Sequence, residues 1–139
     1  MRFEGFLIKP QGKLNRYWHI EVPILGLSTQ GKSKSDALFM MKDAIELAVN
    51  KKGFRVKIVP QGLSFTVGAN NTKEFLAFML RQQRCSHGLS LKEVAKRLKI
   101  RSVNAYARYE QGRSVPTVEK LIELLRAIDP DSAPILRVA

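Results

Sequence analysis

The chain has 139 residues, 45% hydrophobic and 26% charged, which suits one ordinary globular domain or two very small ones and excludes a disordered chain. No apolar run approaches the roughly 18 residues that a membrane span needs, and the first residues lack the charged-then-apolar order of a signal peptide, so neither is expected. Twenty-four Lys and Arg against twelve Asp and Glu leave a net charge of +12, which points to a polyanionic partner, and a single cysteine, Cys85, fits a reducing, cytoplasmic setting.

The first half alternates in strand fashion. Residues 2–9 predict a first strand, with a turn at Gln11, Gly12 and Lys13. Residues 15–22 predict a second, with Trp18, Ile20 and Val22 on one face and Tyr17, His19 and Glu21 on the other. Pro23 interrupts the ladder. Residues 24–28 then predict a short third strand, turning at Gln30 and Gly31. A helix is expected over 33–51, because Ala37, Leu38, Met41, Ala44, Ile45, Ala48 and Val49 keep the spacing of one apolar stripe. Ser35 is its expected N-cap and Gly53 its left-handed C-cap. Phe39, Met40 and Leu47 lie off that stripe. Phe54, Val56 and Ile58 alternate again, Pro60 to Gly62 turns the chain, and Leu63, Phe65 and Val67 predict a fifth strand. The order β-β-β-α-β-β defines a first domain over residues 1–69, with a linker at 68–71.

The period then changes. Asn71 with Glu74, and Ser90 with Glu93, have capping-box spacing and open helices through about Arg84 and Leu98. Ser102 opens a third that stops at Gly112. Thr117 caps a fourth, striped by Val118, Leu121, Ile122, Leu125 and Ile128 and ended by Pro130. These four helices make an all-α second domain over residues 70–139, so the fold class is α+β.

Charge concentrates within that second domain. From Arg81 to Arg113 nine basic residues face only Glu93 and Glu110. The helix of Val94, Ala95 and Leu98 has the spacing to pack on Val103, Tyr106 and Ala107, as in a helix-turn-helix. That leaves Arg101, Ser102, Asn104, Ala105 and Arg108 toward the outside, where the second helix of such a pair enters the major groove. Asn pairs with adenine, Arg with guanine, and Ser with bases or phosphates. Lys92, Lys96, Arg97 and Arg113 are the expected phosphate contacts.

The segment Val94-Ala95-x-x-Leu98, continued by Asn104 to Arg113 and Pro116, resembles the XRE/Cro-like helix-turn-helix family. Lys99 stands where that family often has a turn glycine. The first half also resembles a family. Trp18 to Pro23, Thr29-Gln30-Gly31, Ser35 to Leu38 and Ala44 to Leu47 follow the order of motifs in the HicB antitoxin domain. Together the halves are similar to a type II HicB antitoxin of the helix-turn-helix subtype. That resemblance implies a non-catalytic, partial ribonuclease-H-like first domain that binds and neutralises a HicA-like, mRNA-cleaving toxin. It also implies repression of the protein's own operon, with the second domain dimerising or forming a higher oligomer on operator DNA.

Tyr17, His19, Ile24, Leu25, Phe39 and Met40 are the candidate toxin contacts, with Leu47 beside them; for these positions both a core and an interface reading stay open. The last helix and residues 133–138 are the candidate dimer surfaces. Catalysis is not expected. Glu4 and Glu21 are too few for two-metal nuclease chemistry, Asp36 and Asp43 suit a solvated helix face, and Cys85 with His87 lacks further ligands for zinc. No cofactor or metal is expected. The alternative is a stand-alone transcription regulator whose first domain senses a small molecule.

Overall fold

The computed structural model describes residues 1–135, and the chain divides into two compact units, residues 1–75 and residues 76 onward. In the first unit, strands β1 (Arg2–Ile8), β2 (Trp18–Val22) and β3 (Leu27–Gly31) precede helix α1 (Lys34–Val49), and β4 (Val56–Gln61) and β5 (Ser64–Ala69) follow it. The five strands form one sheet in the order β3-β2-β1-β5-β4, with every neighbouring pair antiparallel. Strand alternation sends Phe3 and Leu7 of β1, Ile20 and Val22 of β2, and Phe65 and Val67 of β5 into the core. Ala37, Met41, Ile45 and Val49, one turn apart along α1, are buried against them.

Local chemistry moved several boundaries from their expected places. Pro23 to Leu25 form a single 3-10 turn, not the start of a strand, closed by the Gly26 N–H donating to the Pro23 carbonyl at 2.9 Å. Proline fixes its own φ and Gly26 takes φ 59, so the chain reverses there and β3 starts at Leu27. Gln30 and Gly31, expected as a turn, are the end of β3. A Cβ on Gly31 would collide with the Ala37 backbone, so glycine is what lets α1 begin directly over the strand. The N-cap of α1 is Ser33, whose Oγ accepts from the Asp36 N–H at 3.0 Å; Ser35 lies inside the first turn. The helix closes on Asn50, left-handed at φ 49, ahead of Gly53.

The expected linker is also structured. Gly68 and Ala69 pair with Lys57 and Val56, so β5 runs through them. Asn70 holds the corner, its Oδ1 accepting from the Arg55 N–H at 2.9 Å and its Nδ2 donating to the Gly53 carbonyl at 2.8 Å. The division between the units falls inside helix α2 (Thr72–Ser86). Phe75 belongs to the first because its ring lies 4.7 Å from that of Phe3 and 5.9 Å from that of Phe54.

The second unit takes the rest of α2, then α3 (Leu91–Arg97), α4 (Val103–Glu110) and α5 (Val118–Ile128). Val94, Ala95, Tyr106, Ala107, Leu124, Leu125 and Ile128 are buried. Residues 133–135 are exposed and lie outside any helix or strand, and Leu136, Arg137 and Val138, named above as a dimer surface, lie outside the described residues.

Candidate nucleic-acid interface

Helix α3 starts at a complete capping box. The Glu93 N–H donates to Ser90 Oγ at 3.1 Å and the Ser90 N–H donates to Glu93 Oε2 at 2.6 Å. That bond from the Ser90 N–H, with a contribution from the Ser90 hydroxyl, holds the Glu93 carboxyl below the usual carboxylate range. Helices α2, α3 and α4 then end in the same way. The N–H two residues past the cap returns to the carbonyl five residues back: Leu89 to Arg84 at 3.1 Å, Ile100 to Ala95 at 3.2 Å, Arg113 to Arg108 at 2.9 Å. Each closure needs one left-handed residue, and these are Gly88, Lys99 and Gly112. Lys99 adopts φ 56 despite its side chain.

Five residues, Leu98 to Ser102, separate α3 from α4. Tyr106 and Ala107 are the buried side of α4, facing α3, where Val94 and Ala95 are buried in turn. Arg101, Ser102, Asn104, Ala105 and Arg108 are all exposed, with the spacing of one helix face. Ser102 is the N-cap of α4 but makes no side-chain cap bond, so its hydroxyl and the first amides of the helix stay open to a ligand. The sequence placed these five residues on the outside, and that is where they lie.

A buried polar network fixes the angle at which α4 is held. Arg84 of α2 donates to both oxygens of Glu110, from Nε at 2.7 Å and Nη2 at 3.0 Å, and from Nη1 to the Leu89 carbonyl at 2.8 Å. Their side chains are only 15% and 6% exposed. The Tyr106 hydroxyl donates to the same carboxylate at 2.6 Å. Burial, reinforced by the Glu110 carboxylate, pushes the phenol of Tyr106 far above its usual range, so it stays a neutral donor. Hydrogen bonding to Glu110 likewise raises the pKa of Arg84. Glu110 is thus a structural anion at the end of α4.

Three of the nine cations in the segment are used internally, Arg81 among them, its guanidinium 5.6 Å from the centre of the Phe78 ring. Arg84 serves Glu110. Arg97, expected at a phosphate, instead sends Nη1 to the carbonyls of Ala127 and Ile128 at 3.0 and 3.1 Å, capping the last turn of α5. Among the described residues, the side chains of Lys92, Lys96, Lys99, Arg101, Arg108 and Arg113 carry no ion pair or hydrogen bond, and all six are exposed. Lys99, which is not among the expected phosphate contacts, is one of these six exposed cations and sits at the left-handed turn position.

The residues singled out in the first unit do not converge. Leu25 is fully buried and has no surface to offer a partner, which corrects its assignment as a contact: the 3-10 turn tucks it into the core. Ile24 is half-buried. Tyr17 is exposed just before β2, and His19 lies on the face of the sheet away from α1, bonded to Asn15 Nδ2 at 3.1 Å. Phe39 and Met40 are exposed on the outer side of α1, the other side of the unit, with Leu47. Among the described residues no three His, Cys, Asp or Glu side chains gather in a way that holds a metal, and no helix is long and apolar enough to cross a membrane.

No curated protein matches the chain. Residues 80–129 match the protein-family model described as Helix-turn-helix, a span that starts in α2 and ends just past α5. The match covers the capped pair α3 and α4, the Arg84–Glu110 bridge and the six free cations. Residues 80–129 are therefore a helix-turn-helix domain, and the chain that carries them is a DNA-binding regulator.

Proposed function

We propose that this regulator is the antitoxin of a two-gene toxin–antitoxin operon. In this reading the first unit neutralises a HicA-like, mRNA-cleaving toxin by covering it, and the helix-turn-helix domain represses the shared promoter as a homodimer or higher oligomer in the cytoplasm. The observation that carries the reading is the ordered set of HicB-like motifs over residues 18–47, joined to a helix-turn-helix domain. The observed β-β-β-α-β-β order is compatible with it, and the non-catalytic, partial ribonuclease-H-like description belongs to the same proposal.

Of the two separated groups of candidate contacts, the outer face of α1 is the toxin-facing one. Phe39 and Leu47 lie eight residues apart on that face and are 65% and 70% exposed, although a solvated helix has no need of large apolar side chains there. The test is co-expression with the neighbouring small reading frame. The expected result is that the neighbour alone stops growth, and that the pair grows and co-purifies. Phe39→Asp with Leu47→Asp, in a chain that still binds DNA, removes the rescue. A neighbour that is harmless alone, or rescue without a complex, rejects the antitoxin role and leaves the DNA-binding regulator.

A further inference from the structure

Half of the net charge of the chain lies outside the helix-turn-helix domain: residues 1–70 hold eleven basic and five acidic residues, a balance of +6. Part of that excess is organised. Arg2, Gly68 and Lys57 occupy one cross-strand row over β1, β5 and β4, through the pairs Arg2 with Gly68 and Lys57 with Gly68. The row lies on the face of the sheet away from α1, since the alternate residues Phe3, Val67 and Val56 are in the core. Gly68 contributes no side chain, and the Arg2 side chain lies across that position, its Cγ 3.4 Å from where a Cβ would stand. A cleft of about 450 Å³ opens there, lined by Arg2, Arg55, Lys57, Asn70 and Thr72 among others.

Neither Arg2 nor Lys57 has an ion pair or a side-chain hydrogen bond among the described residues. Arg55 is 66% exposed and reaches Glu46 only at 3.9 Å, while its Nη1 donates to the Phe54 carbonyl at 2.7 Å. Lys51 and Lys52, both exposed, precede it in the same connection. Among the described residues no carboxylate lines the cleft.

We infer that this cleft is a second nucleic-acid contact, one that binds the phosphates of double-stranded DNA without reading its sequence. The inference rests on the chain being a DNA-binding regulator and adds a surface that the helix-turn-helix does not contain. Long cations on an open, single-sign surface suit backbone phosphates, which take contacts of that kind. Among the described residues the lining holds no aromatic side chain, so it offers no platform on which the bases of a single strand or a free nucleotide would stack. That favours a duplex, whose bases are already stacked, over single-stranded RNA.

The experiment uses the full chain and a random-sequence 30-base-pair duplex, titrated at several salt concentrations. Each lost phosphate contact lowers the slope of log affinity against log salt by about 0.9. Arg2→Ala with Lys57→Ala is expected to lower it by about 1.8, and to weaken binding to duplexes of unrelated sequence alike. Lys9→Ala with Lys13→Ala removes the same charge near the opposite end of β1 and is expected to leave the slope unchanged. An equal fall in both variants would mean net charge alone, and no fall in the cleft variant would mean no contact; either overturns the inference. Stronger binding of a 30-nucleotide single-stranded RNA than of the duplex, lost in the cleft variant, also overturns it. Failure of the underlying reading looks different, because then Arg101→Ala with Arg108→Ala has no effect on duplex binding.

Discussion

Glu110 and Lys99 show how much single residues carry in the second unit. Glu110 receives three donors, two from Arg84 and one from Tyr106, in a site almost closed to water. Removing one partner of such a pair strands the other charge, which costs about 3–5 kcal/mol, whereas replacing both by apolar groups is often near neutral. Glu110→Ala is therefore expected to lower the urea midpoint of the full chain sharply, and Arg84→Met with Glu110→Leu and Tyr106→Phe, which removes all three polar members, to recover most of the loss. A Glu110→Ala chain as stable as the wild type would show that the network does not hold α4. Lys99 works in the other direction. A left-handed non-glycine residue costs roughly 1–2 kcal/mol, part of which glycine returns as unfolded-state entropy, so Lys99→Gly is expected to stabilise by about 0.5–1 kcal/mol. A calorimetric melting temperature a few degrees above wild type is the readout. DNA affinity should fall in the same variant, because a free cation beside α4 is lost.

Helix α3 is the element on which local sequence and structure agree most closely. It has seven residues, too few to persist in water alone, so its capping box and its closure at Lys99 matter more than its propensity. Ser90→Ala is expected to cost about 1 kcal/mol. The pH dependence follows from Glu93, whose pKa is held down in the folded state. Its contribution is complete above the unfolded-state value near 4.3 and is lost as the pH falls through the lower folded value. The gap in melting temperature between wild type and Glu93→Ala, which removes the carboxylate that accepts from the Ser90 N–H, should thus stay constant from pH 7 to about 5 and narrow below about 4; a gap that narrows near neutrality would contradict this assignment.

The capping box of α3 was legible because Ser90 and Glu93 lie only three residues apart. The same holds for the outward set Arg101, Ser102, Asn104, Ala105 and Arg108, which helical period alone separates from Tyr106 and Ala107. The roles of Arg84 and Arg97 were not legible, since their partners are 26 and 30 or more residues away and periodicity carries no information at that range. Leu25 escaped for a related reason. Pro23 and Gly26 replace a strand by a turn, and with the alternation gone nothing in the sequence told inside from outside.

At the scale of the whole molecule, two compact units invite a division of labour, and that is testable without knowing the operator. Asn104 and Arg108 are exposed, bear no hydrogen bond or ion pair from their side chains among the described residues, and lie on the outward face of α4. Replacing both by alanine leaves the caps and the Arg84–Glu110 bridge untouched, so melting should change by no more than about 0.5 kcal/mol. Under the proposed autorepression, binding to the chain's own promoter should fall by roughly 1–3 kcal/mol for each base-reading contact removed, which is about fivefold or more for each. If the antitoxin proposal holds, rescue from the co-expressed neighbour should persist in that variant, since the surface of α1 belongs to the other unit. The reciprocal change, Phe39→Asp with Leu47→Asp, should lose rescue and keep promoter binding. Loss of both activities in either variant, with its melting curve intact, would mean that toxin and DNA are not handled by separate units, and the assignment of one task to each would have to be given up.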